Sequence, residues 1–458
     1  MTLTHQPYQP GETIAAIATP IGEGGVAIIR ISGKGALDVA DKVFSGAVRT
    51  YETHTAHFGQ VIDEEGHIVD DVLLLPMLGT RSFTGEDTVE IHCHGGSLIT
   101  RRVLDTALKA GARQALPGEF SFKSFMNGKL DLAQAEAIQE LICAKNDHAL
   151  NAAEQQLQGA LSQKIRLFQE KLTAIAAILE AWVDFPEEDL EFASQNEVIA
   201  DLESVTSEIE TLLSTYHDGK IAHSGVALCL VGSPNVGKSS LMNAMLGKDR
   251  AIVSNLPGTT RDVLEDYLRL NGLNFRLTDT AGIRETEDVI EQEGVLRSRQ
   301  ALQQADLVLL VLDLQKGLCP YDRSLIRELP TSKTLVVWNK SDLPHSMPPE
   351  LDFPHAVHLS AKTREGFDAF KEAIDAIVWE KGPPSKEELL ITNVRHKEAI
   401  AQAKTHCESV IRGLRNHQSP EFLAMDMRQS LLELGKIIGS DVTEDILTAI
   451  FSKFCIGK

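Results

Sequence analysis

The segment Gly232-Ser233-Pro234-Asn235-Val236-Gly237-Lys238-Ser239 fits the pattern GxxxxGK[ST]. It is a demanding pattern, because it works only where a strand gives way to a helix. The apolar run Val226–Val231 precedes it, and a helix-forming stretch follows. Its glycines let backbone N–H groups wrap phosphate oxygens, and the start of a helix favours an anion. Lys238 is placed to reach the β- and γ-phosphates, and the Ser239 hydroxyl to bind Mg2+. Asn235, Val236, Gly237 and Ser240 complete the cradle.

From Ser224 to about Glu380 short apolar strands alternate with helical stretches. The strands expected are Val226–Val231, Phe275–Thr278, Leu307–Leu312, Thr334–Trp338 and Ala356–Leu359. That alternation predicts a doubly wound α/β domain. Asp279-Thr280-Ala281-Gly282 ends one strand; Asp279 would hold Mg2+ through water, and the Gly282 amide can sense a γ-phosphate. Asn339-Lys340-Ser341-Asp342 ends a later strand. A carboxylate there accepts both N1–H and N2–H of guanine, which adenine cannot supply. Ser360-Ala361-Lys362 follows one strand on, as in GTPase base-binding loops. Gly258-Thr259-Thr260-Arg261-Asp262 offers a switch threonine for Mg2+. Motifs in this order, each at a strand end, specify a GTP-binding domain. Ile283 stands where Ras-type GTPases carry a water-orienting glutamine. Arg284, Glu285, Glu287 and Glu291 are the nearby substitutes, and composition does not choose among them.

The rest of the chain has two other textures. A length of 458 residues suggests about three domains. Residues 1–120 read as strands Thr13–Ala18, Gly25–Ser32, Ala56–Val61, Asp71–Met77 and Thr88–His94, with a helix over Ser97–Ala110. This predicts a small α+β domain. From about Gly128 the chain is rich in Ala, Leu, Gln and Glu, and Ile199, Leu202, Val205, Ile209 and Leu212 recur at helical spacing. Asp184-Phe185-Pro186 interrupts that pattern. Gly382-Pro383-Pro384-Ser385 closes the α/β region, and the last segment is helical again. The simplest architecture is an α/β domain inserted into a discontinuous helical domain. The expected bounds are 1–127, 128–220, 221–382 and 383–458.

With 44 basic and 65 acidic residues the net charge is −21. A broad basic surface for nucleic acid is therefore excluded, and DNA is not an expected partner. Twelve acids and no Lys or Arg lie between Leu172 and Gly219. Six scattered cysteines without a CxxC pair fit a reducing compartment. The start lacks a basic and apolar leader, and no apolar run reaches the ~18 residues of a membrane span. A cytoplasmic protein away from membranes is expected.

The segments GSPNVGKSS, LPGTTRD, DTAGIRE, GGVAIIRISG, SFTGEDTVEIHCHGG, LPGEFSFKSFMNGKLDLAQAEAI and the final Phe454-Cys455-Ile456-Gly457-Lys458 carry a further signal. With them, the chain resembles the MnmE (TrmE) family of tRNA-modification GTPases over its whole length. The resemblance implies an N-terminal folate-binding domain that mediates homodimerisation, a helical domain in two segments, and an inserted Ras-like G domain. It implies a heterotetramer with MnmG, a partner that carries FAD. Together they modify C5 of the wobble uridine, position 34, in certain tRNAs, adding an aminomethyl or carboxymethylaminomethyl group. The one-carbon unit comes from 5-formyl- or 5,10-methylene-tetrahydrofolate. The resemblance assigns K+ to Asn235, Ser254, Leu256 and Thr259, and Mg2+ to Ser239 and Thr260. GTP contacts extend over Asn255, Pro257 and Gly258. Glu291 becomes the water-orienting residue. Folate contacts fall to Arg30, Glu90, Lys129 and Lys458; Arg and Lys suit an anionic tail, and Glu suits a pterin.

Weaker signals are read more plainly. His92, Cys93 and His94 have metal-ligand chemistry but no second cluster. Cys455 sits four residues from the end, yet Gly457 and Lys458 do not suit a prenylation box. The acidic stretch Glu187–Glu191 is a solvated connection or a partner contact. Lys404, Arg412 and Arg415 share a helical face, as a solubilising surface or a tRNA contact. The competing function is a GTP-dependent assembly or ribosome-associated switch without modification chemistry.

Overall fold

The computed structural model describes residues 11–20, 22–185, 194–246, 267–277, 302, 305–379, 382–385 and 387–457. The chain divides into two compact units. The first comprises Met1–Gln139, Gln156–Pro186 and Pro420–Lys458; the second comprises Glu140–Gln155 and Glu187–Ser419.

The first unit is built on a six-stranded sheet of order β3-β4-β5-β2-β1-β6. Its strands are β1 (Ile14–Ile17), β2 (Val26–Ser32), β3 (His57–Ile62), β4 (Ile68–Met77), β5 (Thr88–His94) and β6 (Arg113–Gln114). All neighbours are antiparallel except β1 and β6. Strand alternation sends Ile29, Ile31, Val72, Leu74, Val89 and Ile91 to one face. There they pack against α1 (Ala36–Val43) and α2 (Ser97–Lys109). The helices α3 (Glu119–Met126) and most of α4 (Leu132–Cys143) follow, whereas nearly all of α5 (Asp147–Leu157) belongs to the second unit. The long α6 (Ala160–Asp184) stops just before Phe185.

The end of the chain belongs to the first unit as well. Helix α13 (Pro420–Ile438) packs along α6. Phe451, at the end of α14 (Glu444–Phe451), and Phe454 join Phe122, Phe125 and Leu132 in a small aromatic core. Two glycines permit this docking. A Cβ on Gly118 (φ +69°) would lie 2.5 Å from the Phe451 carbonyl oxygen. One on Gly457 (φ +93°) would lie 2.2 Å from that of Ile17.

The second unit has a sheet of order β12-β11-β10-β7-β9-β8. Its strands are β7 (Val226–Val231), β8 (Tyr267–Leu270), β9 (Leu273–Leu277), β10 (Leu307–Asp313), β11 (Thr334–Asn339) and β12 (His355–His358). All neighbours are parallel except β8 and β9. Every residue of β10 and β11 is buried, so both strands read as continuous apolar runs rather than alternating ones. Around them lie α9 (Lys238–Leu246), α10 (Pro320–Ile326) and α11 (Phe367–Val378). The helices α7 (Gln195–Ser214), α8 (Tyr216–Ser224) and α12 (Val394–Arg415) complete the unit, with α7 packed on α12.

This is the multidomain α/β architecture expected; each expected strand lies within a few residues of its place, and β6 and β8 are short strands that the sequence reading did not include. One helical position differs. Val198, not Ile199, joins Leu202, Val205, Ile209 and Leu212 in the buried stripe of α7. Ser194 caps the helix through a capping box with Glu197, and Val198 continues the four-three spacing of the stripe back into the first turn. The compact units also divide the helices differently from the domain bounds drawn from sequence: each takes part of both helical segments.

Candidate functional site

The phosphate-loop sequence lies at the C-terminal edge of the second sheet, between β7 and α9. Three residues take the positive φ that such a turn requires: Gly232 (+143°), Asn235 (+63°) and Gly237 (+98°). A side chain at Gly232 would strike the Val311 carbonyl oxygen at 2.2 Å, and one at Gly237 the Asn339 amide at 2.3 Å. Lys238 Nζ donates to the carbonyls of Gly232 and Ser233, both at 2.8 Å. Burial draws its pKa down, with the charge of Asp322 opposing that shift. Ser239 and Ser240 stand exposed in the first turn of α9. Val236 is buried in the core beneath.

Asn339, at the end of β11, ties three loops together. Its Nδ2 donates to the Val236 carbonyl at 2.9 Å. Its Oδ1 accepts from the amides of Lys340 at 2.8 Å and Ala361 at 3.0 Å. Lys340 Nζ donates to the Asn235 carbonyl at 3.0 Å and to Asp313 at 2.7 Å. Burial would raise the Asp313 carboxyl, but the hydrogen bond from Lys340 and the amides of Lys316 and Gln315 outweigh it and hold it low. Ser360, fully buried, donates its hydroxyl to Asp342 Oδ1 at 2.7 Å. The Asp342 carboxylate is otherwise exposed, and Lys362 is exposed on the loop beyond Ala361. The structure therefore brings the phosphate loop, the Asn339–Asp342 segment and Ser360–Ala361 to one edge. Ser254–Thr260, Asp279–Gly282, Glu291 and the other switch candidates lie outside the described residues.

A second constellation lies in the first unit. Arg30 and Glu90 are direct cross-strand partners on β2 and β5, on the sheet face opposite α1 and α2. Arg30 Nε donates to Glu90 at 2.8 Å, and one of its terminal nitrogens donates to the Gly457 carbonyl at 3.1 Å. Its guanidinium sits 5.6 Å from the centre of the Phe120 ring. Both side chains are largely but not fully buried. Lys129 is bonded elsewhere, to the Thr80 carbonyl at 2.6 Å. Lys458 lies outside the described residues.

Comparison with known proteins decides what these two constellations belong to. The MnmE helical domain matches residues 132–455, and the N-terminus of the GTP-binding protein TrmE matches residues 13–129. The tRNA modification GTPase MnmE of Protochlamydia amoebophila is 64% identical over 458 residues, all of both chains. The chain belongs to the MnmE family of tRNA modification GTPases. The MnmE of Geobacter metallireducens is 42% identical, covering 98% of this chain and 99% of that one. That of Heliobacterium modesticaldum is 43% identical over 98% and 100%. This MnmE-family chain is accordingly a GTP hydrolase that acts in tRNA modification, and the switch without modification chemistry is set aside.

Within the family frame the weaker signals resolve. Cys93 points into the core of the first unit, while His92 and His94 lie on the other face, each beside a carboxylate. They do not converge. Lys404 pairs with Glu210 and Glu408, and Arg415 with Glu203, so acids offset most of that face. Among the described residues no helix is long and apolar enough to cross a membrane. Sequence reasoning missed Asp313, which holds Lys340, and gave Ser233 no role beyond its place in the loop. Ser233 is in fact buried and bonded to Asp322 at 2.5 Å. An isolated acid at a strand end carries no motif that would have flagged Asp313.

Proposed function

We propose that the chain hydrolyses GTP in a K+- and Mg2+-dependent G domain and, as a homodimer with MnmG, modifies wobble uridine using a tetrahydrofolate one-carbon unit. The observation that carries the GTP site is the Asn339 hub. It fixes the phosphate loop and the guanine-reading loop in one frame, with Asp342 oriented by Ser360. Ser239 and Thr260 would hold Mg2+. Asn235, Ser254, Leu256 and Thr259 would hold K+, and Glu291 would orient water. Asn235 fits that role, being exposed at the crest of the loop with a hard oxygen donor. A bound monovalent cation would neutralise developing phosphate charge.

For folate, Arg30 and Glu90 fit the ligand. One offers a fork of donors for a carboxylate, the other two acceptor oxygens for a pterin. Lys129 and Lys458 would extend the cationic side. Support for dimerisation comes from the same sheet. Phe58 (76% exposed) is paired across β3 and β4 with Leu73 (47% exposed) on the face bearing Arg30. The domain bounds 1–127, 128–220, 221–382 and 383–458 belong to this proposal, as does a cytoplasmic location.

The test is nucleoside mass spectrometry of tRNA from the source organism with and without this gene. Loss of the aminomethyl-type group at the wobble uridine is expected. An unchanged profile, with no second copy of the gene, overturns the proposal. In vitro, turnover should be much faster in KCl than in NaCl at equal ionic strength. Equal rates remove K+, and full turnover in Glu291→Ala removes Glu291.

A further inference from the structure

One buried carboxylate in the second unit has no part in the roles assigned so far. Asp322 lies in the first turn of α10 and is 2% exposed. Its Oδ1 accepts from Ser233 Oγ at 2.5 Å, and its Oδ2 accepts from the Cys319 amide at 3.0 Å. The Cys319 thiol adds a contact to Ser233 Oγ at 3.0 Å. A carboxylate beneath a loop that receives phosphates is unfavourable unless its charge is committed elsewhere. Here both oxygens are committed, one of them to the loop itself.

The sequence gives no hint of this link, because Ser233 and Asp322 are 89 residues apart. Ser233 is held at two points. Its hydroxyl goes down to Asp322, and its carbonyl accepts from Lys238 Nζ. Gly232, just before it, has no room for any side chain, so the loop cannot be braced from that residue. The brace comes from α10 instead.

We infer that Asp322 is a positioning residue for GTP, acting through Ser233 to set the height of the phosphate loop and of the Lys238 ammonium. The inference rests on the reading of Gly232–Ser239 as the phosphate loop. Because Asp322 is buried and both its oxygens are committed to Ser233 and the Cys319 amide, its loss should weaken nucleotide binding more than it slows turnover of bound GTP.

The experiment measures GTP affinity, KM and kcat for the full chain carrying Lys238→Ala, Ser233→Ala, Asp322→Ala, Asp322→Asn and the Ser233→Ala/Asp322→Ala pair. A hydrogen bond to a charged group predicts that Asp322→Ala raises KM and Kd by about 10- to 100-fold, with kcat within about threefold. Asp322→Asn keeps an acceptor for the Ser233 hydroxyl and should recover most of the affinity. Once Ser233 is alanine, Asp322→Ala should add little. A merely structural role would lower the active fraction, and hence kcat, and its effect would add to that of Ser233→Ala. Either of those results overturns the inference, as does wild-type KM in a folded Asp322→Asn and Asp322→Ala pair. If Lys238→Ala itself leaves GTP affinity intact, the phosphate-loop reading fails instead.

Discussion

The two constellations solve the same problem, holding charged groups at fixed spacing, by opposite routes. Within the phosphate loop itself the key contacts begin within a few residues of one another. Lys238 bonds carbonyls five and six positions back. The strand–loop–helix geometry forces them, and backbone groups make most of the contacts. At the Arg30 site the partners are 60 and 427 residues away. Sheet register brings Glu90 to Arg30, and an aromatic anchor brings Gly457. A motif can record the first kind of site, because its spacing is the structure. The second kind leaves only ordinary-looking residues, each readable as a surface charge.

If the sites are built so differently, they should fail differently. The largest effect is expected from Asp342→Asn. It replaces an acceptor by an amide facing guanine N2–H, so GTP affinity should fall by at least about 100-fold. Xanthosine triphosphate, with a carbonyl at that position, should bind better than GTP. Equilibrium titration of both nucleotides checks this, and unchanged GTP affinity would remove Asp342 from base recognition.

Next in size, Arg30→Ala should weaken 5-formyltetrahydrofolate binding by about 10- to 100-fold while GTP turnover stays near wild type. A parallel loss of both activities would break the separation drawn here. Gly457→Ala sharpens it further. The added Cβ meets the Ile17 carbonyl oxygen at positive φ, so the tail should be displaced and Arg30 should lose an acceptor. Folate affinity should drop several-fold, with a loss of about 1–2 kcal/mol in stability. Calorimetric titration and thermal unfolding report the two parts. Folate affinity equal to wild type would mean that the docked tail does not shape the site.

The smallest effect concerns pH. The Asp313 carboxyl is held below its ordinary value, so its ionised form stabilises the fold. That contribution is present above the unfolded pKa, about 3.9, and is lost as pH falls through the lower folded value. Asp313→Asn should be less stable than wild type at neutral pH, and the gap should close on acidification. Unfolding followed by the fluorescence of buried Trp338 tests this. A gap that is constant with pH would exclude the ion pair with Lys340 as its source.

Much of the fold was legible because its signals are local. The apolar runs of β7, β10 and β11 and the alternation of β5 needed no tertiary knowledge. Val198 and Ile199 are both strongly apolar, but Val198 lies four and seven residues before Leu202 and Val205 and so continues the buried stripe of α7, while Ile199 falls at its margin. His92, Cys93 and His94 have metal-ligand chemistry but no second cluster in the sequence, and strand alternation turns Cys93 inward, away from the two histidines. Lys404 and Arg415 looked basic until the acids of α7 met them.

What the sequence determined by itself is the order of strands and helices and the loops between them. Chain stereochemistry and short-range hydrogen bonding set these within a few residues. Only the tertiary structure decided that Asn339 would lock the Gly232–Ser239 loop to the Ser360–Ala361 loop. It also decided that Asp322 would brace Ser233, and that the last residues would dock on β1 beside Arg30. Those contacts join positions that no spacing rule connects, and they exist because burying apolar strands and aromatic anchors leaves the chain few other ways to close.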